Sequence, residues 1–375
     1  MLRCLSRRHE VSLISFAGEG DQVESNSLLA LQRYCADIRV LPYRGFRPTR
    51  VKAVAGLFSS QPRSLVDVYS HEMKHAIAAE ISKRRPDVLI ASQIDMVPYA
   101  IGPRGLPLVL DELEVSSIRD AARRASPFRP RALLTWLKLS LYLRRALPRF
   151  AACTVVSENE RANVQSLARS YRNLEVLPNA VDLSDCDGDF GSPQRNTLVF
   201  SGAITYKPNH DAVRYFVGDI FPLILESVND ARFRVTGAFS GLDPSSLAHG
   251  RGVEYTGGLT DIRPVVARSW VSVVPIRFGG GTRLKIIESM ALGTPVISTS
   301  KGAEGLDVAD GVNILIADEP KEFAARVVQI LESPALRRKL AAGGRRLVAS
   351  KYDWRINGER LCALVEWAAS SAALP

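Results

Sequence analysis

The stretch SVVPIRFGGGTRLKIIESMALGTPVISTSKGAEGL, residues 272–306, decides the fold of the second half of this 375-residue chain. A short apolar run ends at Ile276, three consecutive glycines follow, and a helical pattern opens near Arg283. A buried strand, a glycine turn and a helix in this order are typical of a doubly wound parallel sheet.

The same alternation of strands and helices extends outward from this stretch in both directions. Strand signals include EVSLISF (10–16), PDVLIAS (86–92), LPLVLDE (106–112), ACTVVSE (152–158), TLVFSG (197–202), ARFRVTG (231–237) and VEYTGGL (253–259). Between the two halves, DLSDCDGDFGSPQRN (182–196) is rich in turn residues and poor in apolar ones, as a linker is. The sequence therefore predicts two facing Rossmann-like α/β domains, with a ligand cleft at the carboxyl ends of the strands.

The expected boundaries follow from the linker. The first domain covers residues 1–184, the linker 185–196 and the second domain 197–355. The last helix, 356–375, is expected to pack back on the first domain.

The three glycines, Gly279 to Gly281, suit an anion. Consecutive glycines let successive backbone N–H groups point outward, and a helix N-terminus adds a favourable dipole. The pattern is neither GxxxxGK[ST] nor GxGxxG, so neither a P-loop nor a nicotinamide fingerprint is present. A strand–helix turn that merely needs glycine would look the same.

Glu288 lies two helical turns beyond the glycines, among the apolar residues Ile286, Ile287 and Met290. A carboxylate in that position can accept hydrogen bonds from both hydroxyls of a ribose. A partly exposed surface glutamate is the alternative interpretation.

The positive charge of the chain is concentrated in residues 119–149. The whole chain carries a net charge of +10, and this segment alone has nine basic residues against one acid, Asp120. Its later half is rich in leucine, with Trp136 and Tyr142. A cationic helix with an apolar face can lie on an anionic membrane, so we predict such a partner through 119–149. A helix that packs on the sheet and exposes a solvated basic face is the alternative.

Several other classes of function are disfavoured. The five cysteines are scattered without a CxxC pair, which disfavours a structural zinc site and a disulfide framework. No zinc-finger or RNA-binding motif accompanies the basic charge, so a nucleic-acid partner is not expected. No apolar run is long enough to cross a bilayer, and we expect a cytoplasmic protein, peripheral on the inner face of the cell membrane.

Three sequence blocks carry a family resemblance: FSGAITYKPNHDAVRYF (200–216), FGGGTRLKIIESMALGTPVIST (278–299) and KGAEGL (301–306). Together they resemble the nucleotide-binding domain of the group 1 glycosyltransferases, which are retaining (family 4) enzymes with the GT-B fold. The resemblance is strong over 197–355 and weaker over the first half, where VVSENE and LPNAVD are similar to the family's approach to the linker.

The resemblance implies transfer of a sugar from a nucleoside diphosphate sugar to an acceptor hydroxyl, with retained anomeric configuration and no metal or other cofactor. The expected acceptor is a glycan or a lipid-linked precursor of a surface polysaccharide or lipopolysaccharide. Glu288 matches the ribose-binding glutamate of the family. The predicted catalytic residues are Lys207 and Arg283 at the leaving diphosphate and Asp111 and Glu114 in the cleft. The predicted nucleotide-sugar contacts are Gly202, Tyr255, Gly257, Gly280, Gly281, Thr282, Leu284 and Glu288.

The chain departs from the family pattern at three places. Gly280 stands where the family usually has a glutamate that faces the transferred sugar, and Leu113 stands where a histidine commonly approaches that sugar. Asp111 and Glu114 are equally compatible with a place on the surface. The chain also begins with a segment that resembles the end of the first helix, so we expect the first domain to lack its first strand.

These departures leave two other functions open. A sugar-nucleotide epimerase can share the fold, although the five histidines do not cluster convincingly in the sequence. A catalytically degenerate protein that binds a nucleotide sugar is the second alternative.

Overall fold

The computed structural model describes residues 1–18, 25–102, 105–123, 131–239, 241–242, 246–281 and 283–371. The chain forms two compact units. The first comprises Met1–Leu177 with Gly358–Pro375, and the second comprises Pro178–Asn357. The first division therefore lies between Leu177 and Pro178, ahead of the segment 185–196 that the sequence indicated as a linker.

In its described residues the first unit contains six strands, and every pairing among them is parallel. Its elements in chain order are α1 (Leu2–Leu5), β1 (Ser12–Gly18), α2 (Ser25–Gln32), β2 (Asp37–Tyr43), α3 (Val51–Ala55), α4 (Arg63–Val68), α5 (His71–Arg84), β3 (Leu89–Ser92), α6 (Val97–Ala100), β4 (Leu108–Asp111), α7 (Ser116–Arg123), α8 (Arg131–Ala146), β5 (Ala152–Val155), α9 (Glu158–Leu167) and β6 (Leu174–Val176). Short 3₁₀ turns cover Ile94–Met96 and Leu147–Arg149. The parallel α/β architecture predicted for this half is confirmed.

The strands of the first unit form two sheets, β1–β2 and β3–β4–β5–β6. No pairing joins the two sheets among the described residues.

Local chemistry explains where the helices of the first unit begin. The helical pattern of residues 67–85 predicts one helix, whereas the structure has α4 and α5, separated at Tyr69 and Ser70. Ser70 is extended and its hydroxyl accepts a hydrogen bond from the Met73 N–H at 3.2 Å, so it caps a new helix.

The last helix, α16 (Trp354–Ser371), packs in the first unit. Leu361, Cys362 and Val365 share a buried cluster with Leu5 and Leu177. Farther along the helix, Ala368 packs against Val109 and Ala152, on β4 and β5. No helix in the described part of the chain is both long and apolar enough to cross a membrane.

The described part of the second unit has one parallel sheet of six strands in the order β12-β11-β10-β7-β8-β9. After a 3₁₀ turn at Leu183–Cys186, its elements are β7 (Thr197–Ser201), α10 (Lys207–Tyr215), α11 (Phe221–Ser227), β8 (Arg232–Thr236), β9 (Val253–Gly257), α12 (Arg263–Ala267), β10 (Val271–Val274), α13 (Leu284–Ala291), β11 (Val296–Ser298), β12 (Leu315–Ile316), α14 (Pro320–Glu332) and α15 (Pro334–Lys351). A π-helical turn, Phe216–Ile220, joins α10 to α11. The chain leaves β7 toward β9 and later leaves β10 toward β12, so β7 and β10 flank the topological switch point.

The segment 185–196, predicted as a linker, is tied to the second unit. Arg263 donates from Nη1 to the Asp185 carbonyl at 2.7 Å, and Arg268 donates from Nε to the Phe190 carbonyl at 2.6 Å. These bonds explain why a stretch with few apolar residues still belongs to a compact unit.

Two glycines fix how closely the ends of β7 and β8 approach. Gly202 has φ 139° and Gly237 has φ 143°, values that L side chains rarely adopt. A Cβ on Gly237 would lie 2.2 Å from the Gly202 carbonyl oxygen, an overlap with the backbone itself. Only glycine therefore fits at position 237.

We expect Gly237→Ala to lower the free energy of unfolding by about 3 kcal/mol, because it combines a strained φ with a backbone clash. Urea denaturation followed by circular dichroism measures this change. Gly218→Ala is the control, because no heavy atom lies within 4 Å of a Cβ there and its φ is not positive. A loss of stability in Gly237→Ala no larger than in the control would contradict the close approach.

Candidate active site

The turn after β7 brings a glycine, an amide and a lysine together. A Cβ on Gly202 would lie 2.8 Å from both the Asn209 Nδ2 and the Lys285 Nζ. Asn209, in the first turn of α10, donates from Nδ2 to the Ala203 carbonyl at 2.9 Å. The absence of a side chain at position 202 thus keeps a small polar space open beside the lysine.

Lys285 reaches this space from the first turn of α13. Its Nζ donates to the Asn209 Oδ1 at 2.8 Å and lies 3.8 Å from the centroid of the Phe200 ring. The glycine turn after β7 and the glycine loop after β10 therefore meet at a half-buried lysine, at the topological switch point.

Burial shifts the protonation of both charged groups on this face of α13. It lowers the pKa of Lys285 to about 7, and the nearby positive charge of Arg283 acts in the same direction, while Glu288 opposes it. Burial also raises the pKa of Glu288, against the effect of Lys285. Both charged forms are thus poorly solvated without a ligand, which is typical of functional sites.

The glycine loop is held by Arg283, the residue before α13. Its Nη1 donates to the Gly280 carbonyl at 2.5 Å and its Nη2 to the Gly279 carbonyl at 2.9 Å. Gly279 and Gly281 have φ of 104° and 84°. The guanidinium predicted to face a diphosphate is thus bonded to its own loop, whose shape it fixes. Thr282, another predicted contact, lies outside the described residues.

Lys207 and Leu284 occupy the starts of two helices. Lys207, the first residue of α10, is exposed, and its side chain makes no hydrogen bond with any other described residue. Leu284, the first residue of α13, is 39% exposed, so it leaves apolar surface beside the loop. Of the two lysines near the switch point, the half-buried one, Lys285, is the one in contact with Asn209.

Tyr255 and Gly257 lie at the end of β9, beyond β8 from the switch point. The Tyr255 hydroxyl donates to the Ala248 carbonyl at 2.7 Å, and its ring packs edge-on against Phe239 at 6.0 Å between centroids. The Gly257 carbonyl accepts a hydrogen bond from the Gly237 N–H at 3.0 Å. Gly257 is thereby coupled through Gly237 to the turn at Gly202.

In the first unit, Asp111 ends β4 and is buried. Its Oδ1 accepts a hydrogen bond from the Thr154 Oγ1 at 2.6 Å. Burial raises the pKa of this carboxyl group, and the bond from Thr154 opposes that rise. Leu113 is fully buried in the core of the unit, so nothing polar replaces the expected histidine there. Glu114 is half-buried beside it.

A buried carboxylate that the sequence did not single out supports this segment. Glu160 accepts hydrogen bonds from the backbone N–H groups of Val115 and Ser116, both at 3.0 Å. It therefore caps the N-terminus of α7 from a different helix. The spacing Ser157-x-x-Glu160 indicates a capping box, but here the glutamate side chain binds another segment of the chain.

A comparison with known protein families finds one match, which lies in the second half of the chain. Residues 195–333 match the family model described as "Glycosyl transferases group 1". This range includes Gly202, Lys285 and Glu288, whereas Asp111 and Glu114 lie outside it.

Relatives and solved structures agree with that match. The chain is 24% identical over 240 residues to a GDP-mannose-dependent monoacylated alpha-(1-6)-phosphatidylinositol monomannoside mannosyltransferase of Corynebacterium glutamicum; the match covers 57% of this chain and 61% of that protein. The chain thus spans about three fifths of the length of this relative.

Two structures share the fold at low sequence identity. One is WaaG, a glycosyltransferase involved in lipopolysaccharide biosynthesis, with a TM-score of 0.62, 14% identity and coverage of 94% of this chain and 99% of that one. The other is Anabaena Alr3699/HepE in complex with UDP, with a TM-score of 0.62, 12% identity and coverage of 94% and 99%. Residues 195–333 are thus similar to the group 1 glycosyltransferases, and the chain has the α/β fold of the GT-B class.

Proposed function

We propose that this protein is a retaining glycosyltransferase that uses a nucleoside diphosphate sugar as its donor. The observation that carries the proposal is the half-buried Lys285, held by Asn209 beside Gly202 and the glycine loop, with Glu288 three residues farther along the same helix. The family match supports a glycosyltransferase, and the cluster supplies the chemistry for an anionic leaving group.

The donor diphosphate is proposed to lie at the turn around Gly202 and against the loop that ends at Leu284. Lys285 and the backbone N–H groups at the start of α13 would stabilise its negative charge, with Lys207 at the start of α10. Arg283 contributes charge while it fixes the loop. Gly280 and Gly281 leave room for the phosphate oxygens.

Glu288 is proposed to accept both ribose hydroxyls. Within the described residues, no group donates a hydrogen bond to its carboxylate, and burial raises its pKa. A diol donor would satisfy the carboxylate and favour its ionised form. The base would pack near Tyr255 and Gly257, where Leu259 is exposed.

The charge of Lys285 favours catalysis of sugar transfer over binding of the nucleotide sugar alone. A lysine with a pKa of about 7 is only partly protonated at neutral pH, and a neighbouring anion favours its charged form. Charge that accumulates on the leaving diphosphate would therefore be met by a preorganised cation in a desolvated site, which is the arrangement that stabilises a transition state.

The acceptor is proposed to be a glycan or a lipid-linked precursor of a surface polysaccharide or lipopolysaccharide. The names of the mannosyltransferase relative and of WaaG support that class. Asp111 and Glu114 remain proposed as acceptor-side carboxylates. An anionic membrane surface is proposed to bind residues 119–149, which would place the protein on the inner face of the cell membrane.

The epimerase alternative gains no support from His210, the histidine nearest the turn after β7. Its Nε2 lies 2.9 Å from the Ser246 carbonyl oxygen, so that nitrogen is engaged by the backbone. The degenerate alternative rests on Gly280 and Leu113, and turnover measurements decide it.

Burial of Lys285 makes stability depend on pH. The lysine has a pKa of 10.5 when unfolded and about 7 when folded, so between these values the unfolded state binds more protons. Stability conferred by this site therefore rises with pH from about 7 upward, by at most about 1.4 kcal/mol per pH unit. We expect Lys285→Met to remove this rise, as measured by urea unfolding at pH 7.5, 8.5 and 9.5. The exposed Lys207→Met is the matched control and should keep the wild-type slope; an unchanged slope in Lys285→Met would contradict the buried charge.

Binding of UDP and GDP by calorimetry tests the donor site. We expect one of the two nucleotides to bind, and Glu288→Ala to weaken that binding by about 30-fold or more, because two charge-assisted hydrogen bonds are lost. Glu226→Ala, on the exposed face of α11, is the control and should bind as the wild type does. Equal affinities in Glu288→Ala and the wild type would remove Glu288 from the site.

Turnover distinguishes the three functions. With radiolabelled UDP-glucose or GDP-mannose and a bacterial lipid extract, we expect label to move into the lipid fraction with the anomeric configuration retained by NMR. Lys285→Met should lower kcat by about 100-fold, the usual effect of losing one preorganised charge. A new nucleotide sugar formed without acceptor would establish an epimerase, and nucleotide binding without turnover would establish the degenerate protein.

A further inference from the structure

The exposed apolar side chains of this protein are concentrated in two segments of the first unit. Among the described residues, nine of the fifteen large hydrophobic side chains that are exposed belong to residues 44–63 and 131–149. They are Phe46, Val51, Val54, Leu57 and Phe58 in the first segment, and Leu133, Leu134, Leu137 and Leu141 in the second. Side chains of this size rarely cluster on a surface without a binding partner.

The two segments are in contact. Lys138, on α8, donates from Nζ to the Gly56 carbonyl at 3.0 Å and to the Leu57 carbonyl at 2.6 Å. The turn that follows α3 is therefore bonded to the side of α8. We call the combined surface of residues 44–63 and 131–149 the basic apolar surface.

The α8 part of this surface is a continuous stripe. Leu133, Leu137 and Leu141 are spaced four residues apart, and Leu134 lies beside them, so the four side chains cover about 100° of the helix circumference. The opposite side of α8 is buried in the core through Leu139 and Leu143. The leucine stripe is therefore not needed for the packing of its own domain.

The α3 part ends in a projecting aromatic ring. Phe58, in the turn after α3, is 91% exposed, the highest value among the large apolar side chains of the described residues. Lys52 and Val51, at the start of α3, are also exposed. An aromatic ring on a turn with basic residues nearby can enter the boundary between lipid headgroups and acyl chains.

The positive charge of the two segments indicates an anionic partner. Residues 44–63 contain five basic residues and residues 131–149 contain five more, and neither segment contains an aspartate or a glutamate. Arg50 pairs with the buried Asp67, and Arg144 donates to the Leu167 carbonyl, so these two serve the fold. Arg47, Lys52, Arg131 and Arg145 are exposed.

A second copy of the chain does not fit this surface, because a symmetric contact would place ten basic residues against ten others. A nucleic acid would match the charge but would leave the leucine stripe and Phe58 in water. An anionic lipid bilayer satisfies both the charge and the apolar side chains.

We propose that residues 44–63 act with α8 as one docking surface for an anionic membrane, with Phe58 inserted among the lipid headgroups and the α8 leucines on the bilayer boundary. The inference rests on the membrane association proposed above for 119–149, and it adds the second element. It does not depend on sugar transfer.

Vesicle co-sedimentation with the full chain tests the surface, using vesicles of phosphatidylcholine with an equal amount of phosphatidylglycerol, and of phosphatidylcholine alone. We expect the wild type to bind the mixed vesicles and to lose most of that binding at high salt. Phe58→Asp and Leu137→Asp should each weaken binding at least tenfold, and Lys52→Glu about fivefold for each unit of charge changed. Val312→Asp, at a 53% exposed apolar side chain of the second unit, is the matched control and should bind as the wild type does.

The outcomes distinguish membrane association of the protein from the role of residues 44–63 in that association. If the wild type binds neither kind of vesicle, membrane association itself is wrong. If Phe58→Asp binds as tightly as the wild type while Leu137→Asp does not, α8 docks alone and the role of residues 44–63 is wrong. If Val312→Asp loses as much binding as Phe58→Asp, or if light scattering shows a dimer that Phe58→Asp dissociates, the surface has another role. Nucleotide calorimetry on the same variants reports the donor site independently.

Discussion

The candidate site depends on one constraint, which is that the ammonium group of a half-buried lysine lies at the switch point of the second sheet. A charged group that is partly removed from water must be paired or must lose its proton, and the Nζ of Lys285 contacts an amide oxygen and an aromatic face. The glycine at position 202, the capped loop after β10 and the position of Asn209 all follow from keeping room and polarity around that nitrogen. The cost of this burial to the empty protein is the kind of compromise expected where a ligand supplies the missing charge.

Much of the fold could be predicted because each strand of the second unit is a short apolar run that ends in a turn signal. The alternation of such runs with helices specifies parallel pairing, and the strand order then brings Gly202 and the glycine loop to one edge. The ends of individual helices were less predictable. Ser70 separates α4 from α5, and a π-helical turn separates α10 from α11. The segment 185–196 has the composition of a linker, yet hydrogen bonds from Arg263 and Arg268 hold it to the second unit. Composition cannot reveal such distant partners.

The site was only partly predictable for a related reason. The sequence predicts Glu288 and the glycines as donor contacts because they lie within one strand–loop–helix unit, and those roles stay predictions. It predicts Lys207 rather than Lys285 as a catalytic residue, because the contact of Lys285 with Asn209, on α10, joins two distant segments. Glu160 was missed in the same way, because its two backbone donors lie about 45 residues earlier in the chain. Contacts between distant segments decide which charged groups are buried, and burial decides their chemistry.

The residue at position 280 affects the charge around Arg283 and Lys285. Positive φ requires glycine at positions 279 and 281, but Gly280 is not among the residues with positive φ, so the backbone does not by itself exclude a side chain there. A glutamate at that position would bring a second carboxylate toward Arg283 and Lys285, where Glu288 already opposes the depression of the lysine pKa. Arg283 already bonds the carbonyl groups of Gly279 and Gly280, and a glycine at position 280 adds no second negative charge beside it. Under the proposed function, this leaves the positive charge available to the donor diphosphate and leaves recognition of the transferred sugar to other groups.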